Sequence, residues 1–292
     1  MSLRINTNVA ALNAYNNLAT NQANQASSFE RLSSGLRINK AADDAAGLSI
    51  SQGLTSQING MTQAVSNAQD GINVAQIADG ALGTTQNILQ RMRTLAVQAN
   101  NTGSMDANAV SAAQAELGNL NKELDSISSS TAFGGSPLLD LTTGNKGVFQ
   151  FQVGANDSTG VGGASNQLSL DLSTTGALAG ATITAYDSTG LKTSGLNLST
   201  GAGAAITAID AAIKDVSTAR SYIGATQNQL NYTVSNLQTS ITNVTASRSN
   251  LTDADLASEV TKMTQSQILS QAATSVLAQA NSAPQAILKL LQ

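Results

Sequence analysis

The chain has 292 residues, 41% of them hydrophobic, enough for on the order of one to three domains with apolar cores. Charged residues are 11%, aromatics 3% and the net charge is −4, while His, Cys and Trp are absent. These numbers exclude a basic stripe for nucleic-acid phosphates, any disulfide, the common zinc-ligand sets and a Ser-His-Asp arrangement. No apolar run reaches the length of about eighteen residues that a membrane span needs, and the first residues lack the apolar core of a secretory signal. Neither a membrane span nor a cleaved leader is expected.

Taken in order, Ile5, Val9, Leu12, Ala19, Ala23 and Ala26 read as an amphipathic helix with a thin, alanine-rich face. Phe29, Leu32 and Leu36 extend its apolar side until Gly35, which is placed to stop it. Asp43 or Asp44 then caps a long helix. Adjacent carboxylates suggest acid/base chemistry, but neighbours on a helix point in different directions and no nucleophile accompanies them, so capping is the better reading. Leu54, Ile58, Met61, Val65, Ala68, Ile72 and Ala75, continued by Leu82, Leu89 and Ala96, form a heptad seam along this helix. It fades at Asn100 to Gly103, and Ser104 or Asp106 starts a third helix with its seam on Val110, Ala113, Leu117, Leu120, Leu124 and Ile127.

The segment from Phe133 to Pro137 reads as a turn. The period then drops to two. Phe149, Phe151 and Val153 alternate with glutamines, and Leu168, Leu170 and Leu172 with polar residues, which predicts two half-buried strands. From Gly154 to Gly203 the chain is rich in Gly, Ser and Thr, with weaker strand candidates around Ile183 and Leu196 to Leu198. Gly201-Ala202-Gly203 precedes a helix, but the rest of a phosphate-binding glycine motif is missing.

From Ile206 to Leu251 a heptad seam recurs every third and fourth residue through Ile209, Ile213, Val216, Arg220, Ile223, Gln227, Leu230, Val234, Leu237, Ile241, Val244 and Arg248. A continuous helix of about 65 to 70 Å follows at the standard rise. Asp253 or Asp255 can cap a final helix carrying Leu256, Val260, Met263, Ile268, Leu269, Val276 and Leu277, which Pro284 is expected to break before the apolar ending Ile287, Leu288, Leu290 and Leu291. Long seams on both sides of the middle call for each other. The expected fold is mainly α, an antiparallel bundle or coiled coil of long helices from the N- and C-terminal halves, with a small β-hairpin region at the tip, about 133–203. No catalytic, cofactor or metal site is readable. Arg91 and Arg93 flank Met92 on the long helix, either as a solvated face or as a binding epitope.

Read together, the two ends resemble those of bacterial flagellins. Arg4-Ile5-Asn6-Thr7-Asn8, Leu32 to Asn39 and Asp43 to Leu48 carry the likeness at the start, and Ala246-Ser247-Arg248, Asp253-Ala254-Asp255, Ser275 to Asn281, Pro284-Gln285 and Leu290-Leu291 at the finish. The resemblance implies a self-assembling subunit of the filament that bacteria rotate to swim. Residues 1–42 and 256–292 would form an inner coiled-coil tube, packed through Ile5, Val9, Leu12, Leu256, Val260, Met263, Val276, Leu277, Leu288 and Leu291, and 43–255 the outer rod. It further implies export through the flagellar type III apparatus without a cleaved signal, an extracellular location, and partners in an export chaperone, the filament cap and the hook-junction proteins. An animal innate receptor is implied for the segment around Arg91, with Arg91, Leu95 and Glu116 as contacts, although Thr94 departs from the Glu common there. A hook-filament junction protein and a secreted coiled-coil effector or adhesin are the alternative readings. The middle departs from longer flagellins, having only Gly154 to Gly203 where they insert outer domains.

Overall fold

The computed structural model describes residues 8–101, 103, 106–141, 147–156, 166–172 and 185–290, with side chains described up to 282. Five helices dominate: α1 (Val9–Ser34), α2 (Ala45–Ala99), α3 (Ala107–Ser130), α4 (Leu198–Thr252) and α5 (Leu256–Leu290). Four short strands lie between α3 and α4: β1 (Ala132–Phe133), β2 (Ser136–Pro137), β3 (Val148–Gln152) and β4 (Gln167–Asp171). The chain divides into two compact units, 1–56 with 243–292, and 57–242.

Within the unit 57–242, the core is built on the long seams. Leu82, Leu89, Met92 and Ala96 of α2, Ala113, Leu117 and Leu124 of α3, and Ile209, Val216 and Ile223 of α4 close one apolar cluster. Along α4 the fully enclosed rows are Ile209, Val216, Ile223 and Leu230, and Ala205, Ala212, Ala219 and Thr226. The expected partner row, Ile206, Ile213, Arg220 and Gln227, is half-buried beside them. The three alanines of the second row fit where a larger side chain would force the helices apart.

Two antiparallel strand pairs form, one around the expected turn at 133–137, where no strands are expected, and one from the two expected strands. At the turn between β1 and β2, Gly134 and Gly135 have φ of 57° and 83°, the left-handed pair that a two-residue hairpin requires and that glycine adopts without strain. In the second, Phe149 pairs with Leu170 and Phe151 with Leu168. Asn67 Nδ2 ties β3 to α2 by donating to the Gln152 carbonyl at 3.0 Å. A β-carbon at Gly71 would stand 3.2 Å from the Phe151 ring, so the glycine gives that ring its place against the helix.

The strand candidate at Leu196 to Leu198 is not a strand. Gln114 of α3 takes up its backbone groups, its Nε2 donating to the Leu196 carbonyl at 2.9 Å and its Oε1 accepting from the Leu198 N–H at 2.8 Å. Asn197 Oδ1 accepts from Ser199 N–H at 2.8 Å, and α4 begins there. The candidate at Ile183 lies outside the described residues.

In the unit formed by the chain ends, Gly35 at φ 72° stops α1 as expected. Asp44, rather than Asp43, caps α2, accepting from Gly47 N–H at 2.8 Å. Asp43 instead holds the preceding turn through the N–H groups of Asn39 and Lys40, at 3.1 and 2.9 Å. Asp106 caps α3 in the other unit, and Asp255 caps α5 through Ala257 N–H at 3.0 Å. The links into and out of the terminal helices are stitched together. Leu36 bridges Asp253, Arg37 N–H donates to the Thr252 carbonyl at 2.7 Å, and Ala254 N–H donates to the Gly35 carbonyl at 2.9 Å. Arg37 Nη2 also reaches the Leu251 carbonyl at 2.6 Å, placing a cation where the last turn of α4 leaves acceptors free.

The expected break at Pro284 does not occur, because α5 runs through it to Leu290. A proline inside a helix leaves the carbonyl four residues earlier without its N–H donor. That carbonyl belongs to Ala280, and Asn8 Nδ2 supplies a donor to it at 2.8 Å.

Candidate functional site

α1 and α5 pair antiparallel along their lengths, with Asn8 beside Ala280 and Ser28 hydrogen-bonded to Glu259. What closes the pair is small or polar. Ala14 and Ser28 are buried on α1, and Glu259, Ser266 and Ala273 on α5. Within each helix these positions fall on a seven-residue spacing, with half-buried Asn21 between the first two and Ala280 continuing the second. Alanine and serine at these positions let the two backbones pack closely along the pair.

The large apolar residues are left outside. Val9, Leu12, Leu256, Val260 and Val276 are exposed, and Met263 and Leu277 are half-buried. Tyr15, Phe29, Ile268 and Leu269 are exposed as well, with Ile268 at 60% exposure. On α5, Val260, Ile268 and Leu269, with the aliphatic parts of Thr261, Thr264 and Gln265, line a shallow groove. Of the residues expected to pack the filament core, Ile5 and Leu291 lie outside the described residues, as does the side chain of Leu288. Tyr15 was passed over in the sequence, although its spacing from Val9 and Leu12 is that of one helical face.

Charge on this surface is sparse and paired. Lys40 and Glu30 meet at 2.6 Å, Arg31 and Asp43 at 3.4 Å. Glu259 is 5% exposed. Burial acts to raise its pKa, but the Ser28 hydroxyl, Lys262 and Arg31 outweigh it and hold the carboxyl below its ordinary value.

The arginine segment lies in the other unit. Arg91 donates to Glu116 across to α3 at 2.7 Å, and Arg93 pairs with Asp210 of α4 at 2.6 Å. Leu95 is enclosed in the core at 3% exposure, so Arg91 and Glu116 alone of the expected contacts stand on the surface. Arg220 holds Asp79 at 2.8 Å and Gln86 at 2.7 Å, which explains a cation in the heptad seam. Among the described residues no group of three or more acidic side chains could hold a metal ion, and no helix is long and apolar enough to cross a membrane.

Comparisons with known proteins identify the family. The family model described as the bacterial flagellin N-terminal helical region matches residues 5–143, and the one described as the C-terminal helical region matches residues 206–291. The flagellin of Bacillus subtilis (strain 168) is 41% identical over 320 aligned positions, spanning 99% of this chain and 100% of that one. The flagellin of Halalkalibacterium halodurans is 41% identical over 288 positions, spanning 99% of each. A crystal structure of Bacillus cereus flagellin aligns with a TM-score of 0.47 and 29% identity, covering 59% of this chain and 88% of that one. The chain belongs to the bacterial flagellin family and is a structural subunit of the flagellar filament.

Proposed function

We propose that polymerisation is driven by the outward apolar side chains of the α1/α5 pair, which are buried against different parts of the α1/α5 surface of neighbouring copies. The observation that carries this is the inversion of the pair. Ala14, Ser28, Ser266 and Ala273 are inside, while Val9, Leu12, Ile268 and Val276 meet water. Each apolar side chain removed from water contributes at roughly 25 cal/mol per Å², and a contact that joins unlike surfaces propagates instead of closing. In this arrangement residues 1–42 and 256–292 form the inner layer of the filament and 43–255 the outer rod. Seeded growth of purified full-length chain, followed by light scattering and compared with a version ending at residue 255, tests it. Seeds should elongate only with the full-length chain, and equal elongation by the truncated one refutes the role given to α5.

The same face gives an export chaperone something to cover before assembly, and the filament cap and hook-junction proteins something to meet at the filament ends. Secretion through the flagellar export apparatus completes this reading. For an animal innate receptor, the Arg91–Glu116 pair supplies a surface epitope on α2 and α3, with Leu95 holding the backbone beneath it. Loss of monomer binding in Arg91→Ala, with helical content retained, is the expected result.

A further inference from the structure

The groove on α5 has a regular outline. Its six lining residues are two adjacent rows of the helix, Val260, Thr264 and Ile268, and Thr261, Gln265 and Leu269, each stepping four residues at a time. Near the start of α1 the exposed large side chains make a row of the other kind, Val9, Leu12 and Tyr15, stepping three at a time. Helices pack when a row stepping three enters the furrow between rows stepping four, and they then lie within about 20° of alignment, which suits long contacts. At the rise of an α-helix the row spans about 9 Å and the furrow about 12 Å, so the one accommodates the other.

The two do not meet within one chain. Asn8 stands beside Ala280 and Ser28 beside Glu259, which puts Leu12 level with Ser275 and Val276, about 16 Å along α5 from the middle of the furrow. The main-chain contacts of Gly35, Leu36 and Arg37 with Ala254, Asp253 and Thr252 hold that level fixed. We propose that the furrow takes the Val9–Leu12–Tyr15 row of a second copy, displaced along the pair by about three helical turns. The assignment rests on outward burial as the driving force of assembly, and it names which side chains meet. A displaced contact uses a different patch on each partner. It leaves a free furrow at one end and a free row at the other, where the next copy adds. No charged residue lies between Val9 and Phe29, so the row enters the furrow without drawing a charge out of water. Phe29, the other exposed aromatic of α1, is followed by the ion-paired Glu30 and Arg31, and burying it would desolvate them.

With no native cysteine, the contact is directly readable. Chains carrying Leu12→Cys and chains carrying Thr264→Cys are mixed, grown from filament seeds and oxidised, so that a disulfide between the two kinds reports a contact between copies. Linked dimers should form in this mixture well beyond the yield in filaments of either kind alone, or in a mixture of Phe29→Cys with Thr264→Cys. Leu12→Ala and Ile268→Ala should each raise the critical concentration about five- to ten-fold, and the double substitution by less than the product of the two, because the side chains touch. Filaments without dimers through positions 12 and 264, dimers formed mainly through position 29, or fully multiplying effects of the two alanines would overturn the assigned contact while leaving burial of α5 intact. Elongation by a chain ending at residue 255 would instead overturn the assembly role on which the assignment rests.

Discussion

Replacing Ile268 with alanine should raise the critical concentration for polymerisation about five- to ten-fold while leaving the separate subunit as stable as before. Ile268 is 60% exposed on the outer side of α5, so most of its side chain is still available for burial. Complete burial of an isoleucine is worth roughly 1.5–3 kcal/mol, and the part facing water therefore roughly 1–2 kcal/mol. Alanine keeps the β-carbon, which leaves a loss of about 1–1.4 kcal/mol per contact, or a factor of about five to ten in the association constant. Filaments grown from seeds to equilibrium and pelleted leave the critical concentration in the supernatant, and thermal unfolding of the dilute chain reports its own stability. An unchanged supernatant concentration would refute the claim that this face is what assembly buries. A large drop in subunit stability would show instead that Ile268 supports the single chain.

The opposite pattern is expected for Ile209→Ala, since Ile209 is fully enclosed in the core of the unit 57–242. About 2–5 kcal/mol of stability should be lost, read by urea unfolding. Glu259 has a folded-state pKa held below its ordinary 4.5, so its contribution is present above that value and is lost as pH falls through the lowered one. Amide protection factors along α1 and α5, corrected for the intrinsic exchange rate, should fall below about pH 4.5, more in the native chain than in Glu259→Gln. Gly35→Ala places a β-carbon at φ 72° and should cost about 1–2 kcal/mol in the pairing of α1 with α5, seen as reduced helicity of the ends by circular dichroism. Arg220→Met breaks a pair that is more than a third exposed on both sides, so its effect on unfolding should stay within about 1 kcal/mol.

The long helices were legible because their signal is local and repeated. Leu82, Leu89, Ile209, Val216 and Ile223 recur at the spacing of one helical face, and all of them are enclosed. Caps could be narrowed to neighbouring pairs such as Asp43 and Asp44, but the choice depends on the turn that precedes them. Where a distant side chain decides, spacing is silent. Leu196 to Leu198 looked like a strand until Gln114, far off on α3, took both of its backbone groups. Pro284 looked like a helix end because the donor that offsets it lies on Asn8, at the opposite end of the chain. The face of the terminal pair was hidden for a different reason. Val9 and Leu12 dominate any hydropathy reading, yet the helices close on Ala14 and Ser28, whose weak signal lies on another side of the cylinder.

The proposed burial of the outward side chains of α1 and α5 sets which physical knob would govern the polymer. Apolar association near room temperature draws its strength from water entropy and weakens on cooling, whereas attraction between charges weakens with added salt. With 11% charged residues and its broad aliphatic side turned outward, this subunit should respond to the thermometer more than to the conductivity meter, its fibres loosening in the cold and tightening when sulfate is added.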